Sequence, residues 1–194
     1  LPPAMTAERR ELPTVAATLA PMGSAFDDAL AVGMAELGLA GLPAGSDTAI
    51  ATYEAHARLL REWGAAINLT AIREPAEVAR RHVCDSLSAV PYLSAIVGVD
   101  ATLLDLGSGA GYPGLPLAAA LPFSRVVLLD SVGKKVRFME VASAAVSEIL
   151  ASDGGTAPYM EAVAERAEDL AEEPDYRGSF QIVSARAVGS LAEV

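Results

Sequence analysis

The chain has 194 residues, 52% of them hydrophobic, enough for one α/β domain with a smaller appendage and too few for two full domains. A single cysteine, Cys84, excludes an internal disulfide framework and a cysteine-based zinc site, and fits a reducing cytoplasm. The net charge of −11 argues against a nucleic-acid partner when taken whole, but residues 58–137 hold 9 basic and 7 acidic side chains, against 2 and 7 before them and 3 and 11 after. A local basic patch in that middle segment can still meet phosphates.

No apolar run reaches the roughly 18 residues of a membrane-spanning helix. The apolar stretch at 15–25 follows Arg9 and Arg10, but Glu11, Pro13 and Pro21 interrupt it, against the pattern of a secretory signal. Residues 1–23 are rich in Pro and Ala, lack periodicity, and are predicted to be disordered. Ser24-Ala25-Phe26-Asp27 fits a capping box, and Phe26, Leu30, Met34 and Leu37 recur at helical spacing until Gly38 and Gly41. Residues 42–45 read as a linker. Ser46 or Asp47 caps a second helix to about Ala66, with Ile50, Tyr53, Ala57, Leu60 and Trp63 on its apolar face. Pro75 opens a third helix that runs to Val90, with Val78, Val83 and Leu87 inward, Arg80 and Arg81 outward, and Pro91 as its stop.

The pattern changes near residue 100. Strands are predicted at 102–106, 125–130, 159–163 and 180–184, and helices at 115–121 and 134–150, with a turn at Asp153-Gly154-Gly155. Strands that alternate with helices imply a mostly parallel sheet. The chain thus divides into an extension at 1–45, partly disordered with one short helix, a helical subdomain at 46–97, and a cofactor-binding α/β domain at 98–194.

The chemistry concentrates in Asp105-Leu106-Gly107-Ser108-Gly109-Ala110-Gly111-Tyr112-Pro113-Gly114. Its glycines let the backbone turn sharply and leave room for a ligand against the main chain. The second strand ends in Asp130, placed to accept the hydroxyls of a ribose. Together these describe a nucleoside-cofactor site. Pro113 and Pro116 delay the next helix and remove amide donors, and the turn carries no basic residue, which suits a pyrophosphate poorly. S-adenosylmethionine carries a sulfonium cation and no phosphate, and is favoured over NAD. An NAD-dependent oxidoreductase and a non-catalytic S-adenosylmethionine-binding module stay open as alternatives.

Five blocks of sequence are more specific. They are Trp63 with Asn68-Leu69-Thr70; Arg81-His82 with Asp85-Ser86-Leu87; the glycine loop; Leu129-Asp130-Ser131-Val132-Gly133-Lys134-Lys135-Val136-Arg137-Phe138; and Arg186-Ala187. Between about Ile50 and Leu191 the chain resembles the small-subunit ribosomal RNA guanine-N7 methyltransferases, once called glucose-inhibited division protein B. The resemblance implies a Rossmann-like class I methyltransferase fold with an N-terminal helical subdomain. It implies methyl transfer from S-adenosylmethionine to N7 of a guanine in 16S rRNA, with the 30S subunit as partner and the cytoplasm as location. It places Gly107 and Tyr112 against the cofactor, Ala167 and Glu168 in the segment that holds the adenine, and Arg186 as a binding arginine. Gly109, Gly111 and Asp130 complete the cofactor set from the logic of the fold. Taken alone, Tyr112 could be packing, Glu168 a solvated charge and Arg186 a surface ion pair.

Arg81, His82, Lys134, Lys135 and Arg137 are candidate contacts to RNA, since cations at a helix start oppose its dipole and ask for a reason. Their alternative is a solvated helix face, and for His82 and Asp85 a structural role. Guanine N7 carries no proton, so in-line methyl transfer needs alignment and a dry pocket, and neither a catalytic acid–base residue nor a metal is expected. The resemblance also implies further strands beyond Arg186. The chain therefore reads as incomplete at its C-terminus, with the sheet truncated after its fourth strand and that strand an open, apolar edge.

Overall fold

The computed structural model describes residues 11–152 and 154–186. The expectations placed on residues 1–10, Asp153 and residues 187–194 lie outside the described residues.

Four strands form one parallel sheet: β1 (Thr102–Leu106), β2 (Arg125–Leu129), β3 (Tyr159–Val163) and β4 (Ile182–Ala185), in the order β3-β2-β1-β4. β1 and β2 are the central pair, in register Leu104 to Val127, which accounts for their continuous Leu and Val runs. Leu103, Val126, Val127 and Leu128 are fully buried. Among the described residues β4 pairs with β1 alone, and its Val183 is 56% exposed. The mostly parallel α/β sheet expected from the sequence is present.

The helices are α1 (Ser24–Glu36), α2 (Asp47–Gly64), α3 (Pro75–Val78), α4 (Asp85–Leu87), α5 (Val90–Leu93), α6 (Gly114–Ala120), α7 (Gly133–Ser152) and α8 (Ala167–Leu170). Ser46 caps α2, its Oγ accepting from the Ala49 amide at 3.2 Å. α2 lies along α7, and Trp63 meets the Phe138 ring edge-on at 5.6 Å. One continuous core runs from Ala16 to Val146, so the N-terminal helices and the sheet share their buried surface. Among the described residues no helix is long and apolar enough to cross a membrane.

Several expectations are corrected. Residues 11–23 are ordered: Ala16 and Met22 are buried, and α2 reaches back to hold the segment. Trp63 Nε1 donates to the Pro13 carbonyl at 2.8 Å, and Arg61 donates to the carbonyls of Ala20 and Pro21. The capping box at Ser24 does not form. Gly23, at φ 87°, precedes the helix instead, with no side-chain cap. Residues 43–45 form a 3₁₀ turn, and Ile50 is 37% exposed. The third helix is not α-helical throughout and ends at Leu87: a π-helical stretch, Ala79–Cys84, lies between α3 and α4. Pro91 sits in the first turn of α5, where its missing N–H costs no hydrogen bond.

Gly114 shows how closely the layers approach. A Cβ there would collide with the Leu128 side chain and lie 2.8 Å from Asp105 Oδ2. Gly114→Ala is expected to cost about 1–3 kcal/mol by overpacking, read as a lowered urea midpoint with an unchanged slope.

A candidate cofactor site at the carboxyl edge of the sheet

All four strands run the same way, so their C-terminal ends meet at one edge. That edge gathers the glycine loop after β1, Asp130 after β2, the segment leading to α8 after β3, and Arg186 after β4. Ligands of open α/β sheets bind at this edge.

The loop is shaped from inside. Asp105, fully buried at the end of β1, accepts from Ser108 Oγ, from the Gly114 amide at 2.9 Å and from Ser184 Oγ at 2.8 Å. Burial pushes its carboxyl up, against these three hydrogen bonds, which favour the charged form. From α2, the buried His56 donates Nε2–H to the Ala110 carbonyl at 2.7 Å. Gly107, Gly109 and Gly111 all take positive φ, between 62° and 80°. They divide by environment. A Cβ on Gly109 would meet nothing nearer than the Gly107 carbonyl oxygen at 3.7 Å, so the space before it is open. Gly107 is exposed. Gly111 is buried, and a Cβ there would lie 2.7 Å from Leu115 and 3.2 Å from His56. Its small size serves packing.

Asp130 faces the loop. Its Oδ2 accepts from the Gly109 amide at 3.1 Å and its Oδ1 from the Val132 amide at 2.9 Å. Lys135 completes the set, with Nζ 3.1 Å from Oδ2. Lys135, a candidate for RNA, is thus engaged with the candidate ribose acceptor, while Lys134 and Arg137 stay exposed.

Tyr112 ends a loop whose next peptide bond, Tyr112–Pro113, is cis. Its ring is 2% exposed, stacks on His56 at 4.3 Å and on His82 at 4.8 Å, and lies under the Arg186 guanidinium at 5.7 Å. Its hydroxyl is buried and finds no partner among the described residues. His82, a candidate for RNA, is 8% exposed, with one ring nitrogen 2.8 Å from Thr70 Oγ1 and the other 3.3 Å from Arg186. Arg81 beside it is exposed. Arg186 also donates to Asp85 Oδ2 at 2.8 Å and to the Arg81 carbonyl at 3.3 Å. Ala167 and Glu168 lie exposed at the start of α8, where the Glu168 backbone N–H and Arg166 hold the Glu168 carboxyl below its ordinary range.

Two contributors are not singled out by the sequence: His56 carries no role there, and Ser184 reads only as a strand residue. Thr70 is quoted there as part of a sequence block, with no role of its own. The available signal is His56 itself, one of two histidines in the chain, three residues after Tyr53 on the apolar face of α2.

An all-parallel sheet in this order, with a glycine loop after β1 and an acid at the tip of β2, fits the Rossmann-like α/β fold of methyltransferases. The profile of one such family, rRNA small subunit methyltransferase G, matches residues 49–194. The chain belongs to that family. It is 52% identical over 110 residues to ribosomal RNA small subunit methyltransferase G of Alkalilimnicola ehrlichii, covering 57% of this chain and 46% of that protein. The protein of that name from Lactococcus lactis is 37% identical over 147 residues, 76% of this chain and 58% of the relative. The one from Burkholderia thailandensis is 37% identical over 190 residues, 97% of this chain and 73% of the relative. The chain thus spans about half the length of the first two of these relatives.

The two buried histidines set a pH dependence. Burial lowers His56 from 6.5 to about 3, and burial together with the Arg186 charge lowers His82 to about 4. Unfolded, both take up a proton near pH 6.5, so below that pH the unfolded chain binds more protons. Their stabilisation is intact above pH 6.5 and lost as pH falls towards 4 and 3, by up to about 1.4 kcal/mol per pH unit for each histidine. Asp105 opposes this, since its raised carboxyl takes a proton in the fold first. Thermal unfolding between pH 7 and 5, in roughly the range where these terms act, is expected to show a falling Tm, with a shallower fall in His56→Phe.

Proposed function

We propose that the chain carries the methyl-transfer machinery of its family, using S-adenosylmethionine to methylate N7 of a guanine in 16S rRNA in the cytoplasm. The observation that carries the cofactor assignment is the open space before Gly109, with the Asp130 carboxylate hydrogen-bonded to the amide of that residue. Gly107, Gly109, Asp130, Ala167, Glu168 and Arg186 stand around that edge, with Tyr112 as its floor. Bound there, S-adenosylmethionine supplies a methyl group activated by a cationic sulfur. The Gly114 amide, first of α6, is already committed to Asp105, and Pro116 has none to offer, so the helix start suits a pyrophosphate poorly. This disfavours the NAD-dependent reading.

The chain's own residues orient the reactants and exclude water. N7 of neutral guanine has a free lone pair and needs no base. Lys134 and Arg137 at the start of α7, and Arg81, are exposed cations available to rRNA phosphates within the 30S subunit. Three measurements test the reading. Tritiated methyl transfer to 30S subunits, mapped by primer extension, is expected to mark a guanine N7. Gly109→Val, which puts a side chain into the open space at a left-handed φ, is expected to abolish S-adenosylmethionine binding in calorimetry while the helical signal persists. Unchanged binding would move the site elsewhere. Lys134→Ala with Arg137→Ala is expected to weaken RNA binding more at low salt than at high salt, because both act on phosphates.

A further inference from the structure

We propose that Thr70, His82 and Asp85 are positioning residues that hold the Arg186 guanidinium ready for the carboxylate of the cofactor's amino-acid arm. The inference deepens the cofactor assignment above and rests on it.

A guanidinium has five N–H donors and accepts nothing. Arg186 Nη1 donates to Asp85 Oδ2 at 2.8 Å and to the Arg81 carbonyl at 3.3 Å, and Nη2 donates to His82 Nδ1 at 3.3 Å. His82 Nδ1 is therefore the acceptor, and the ring proton sits on Nε2. That proton is donated to Thr70 Oγ1 at 2.8 Å, an oxygen that also accepts from the Ile72 amide at 3.1 Å. The hydrogen-bond chain thus fixes the tautomer of His82 from the loop after α2, and the tautomer fixes one edge of Arg186. A protonated His82 would turn a donor toward a donor, and burial beside Arg186 keeps the ring neutral.

The donors left over point to the ligand. After these bonds, Nε–H and one Nη2–H of Arg186 have no partner among the described residues, and the side chain is 30% exposed. Two adjacent guanidinium donors are what a carboxylate takes in a bidentate pair. Arg186 stands one residue past β4, at the edge that holds the glycine loop, and over the Tyr112 ring. A staple that only joined β4 to the helices would have no need of a fixed tautomer behind the guanidinium or of spare donors in front of it.

Calorimetry on the full chain with two nucleosides separates the two roles. S-adenosylmethionine carries the amino-acid arm, and 5′-methylthioadenosine has the same adenosine and sulfur without it. His82→Phe keeps a ring to stack on Tyr112 and removes the acceptor, and is expected to lower S-adenosylmethionine affinity by about tenfold, with 5′-methylthioadenosine unchanged. His82→Asn, whose Oδ1 can stand in for Nδ1, is expected to restore part of the loss. Arg186→Met is expected to show the same selective loss, and the double variant no further loss, because both act through one contact. Thr70→Val gives a second, smaller perturbation that carries the test if His82→Phe does not fold. Equal losses for both nucleosides, additive losses in the double variant, or no loss at all would overturn the proposal. A wild-type chain that binds neither nucleoside would overturn the cofactor assignment itself, and this inference with it.

Discussion

The site depends on a buried carboxylate. Asp105 lies at the end of β1 with no exposure, where an ionised side chain without partners would cost several kcal/mol. It is met instead by Ser108 in the loop, Gly114 at the start of α6 and Ser184 on β4. Those partners belong to three separate parts of the fold, so one side chain sets the curvature of the loop, the start of the helix and the seating of β4 together. His56 fixes the Ala110 carbonyl from the other side. The glycine backbone is held at both flanks, with its open face left to Gly109.

A second layer lies on the first. Tyr112 leaves the loop and packs its ring between elements, touching two imidazoles and the Arg186 guanidinium. Through His82 the segment ahead of the sheet reaches the end of β4, 104 residues away in sequence. The helices ahead of the sheet therefore supply parts of the site as well as cover for the core, which fits the single hydrophobic cluster that spans both.

Much of this is legible in the sequence where the signal is local. β1 and β3 span the residues predicted for them, and the glycine loop announces itself. Asp130 is legible because it closes an apolar strand. The features that stay hidden depend on partners far along the chain. Residues 11–23 lack periodicity and read as disordered, yet they are ordered by Arg61 and Trp63, some 40 to 50 residues later. The sequence does not show that Asp130 pairs with Lys135, or that Thr70 and Arg186 enclose His82. Gly111 reads like its neighbours, because a glycine that packs and a glycine that faces a ligand are the same letter. The π-helical stretch left a clue: the inward residues Val78, Val83 and Leu87 are five and then four apart, and a step of five is one more than an α-helical turn allows.

That wide turn has a consequence for how the protein tolerates change. A π turn is an α-helix carrying one surplus residue. Dropping a single residue from Ala79–Cys84 would cost the backbone little, since an ordinary α-helix would close up behind it. Everything on one side of the deletion would then swing by about 100° against everything on the other. His82 and Asp85 could no longer both reach the end of β4 while Val78 stayed in the core. The segment is thus forgiving in its conformation and intolerant in its length, and variation among related proteins should replace residues there far more readily than it removes them.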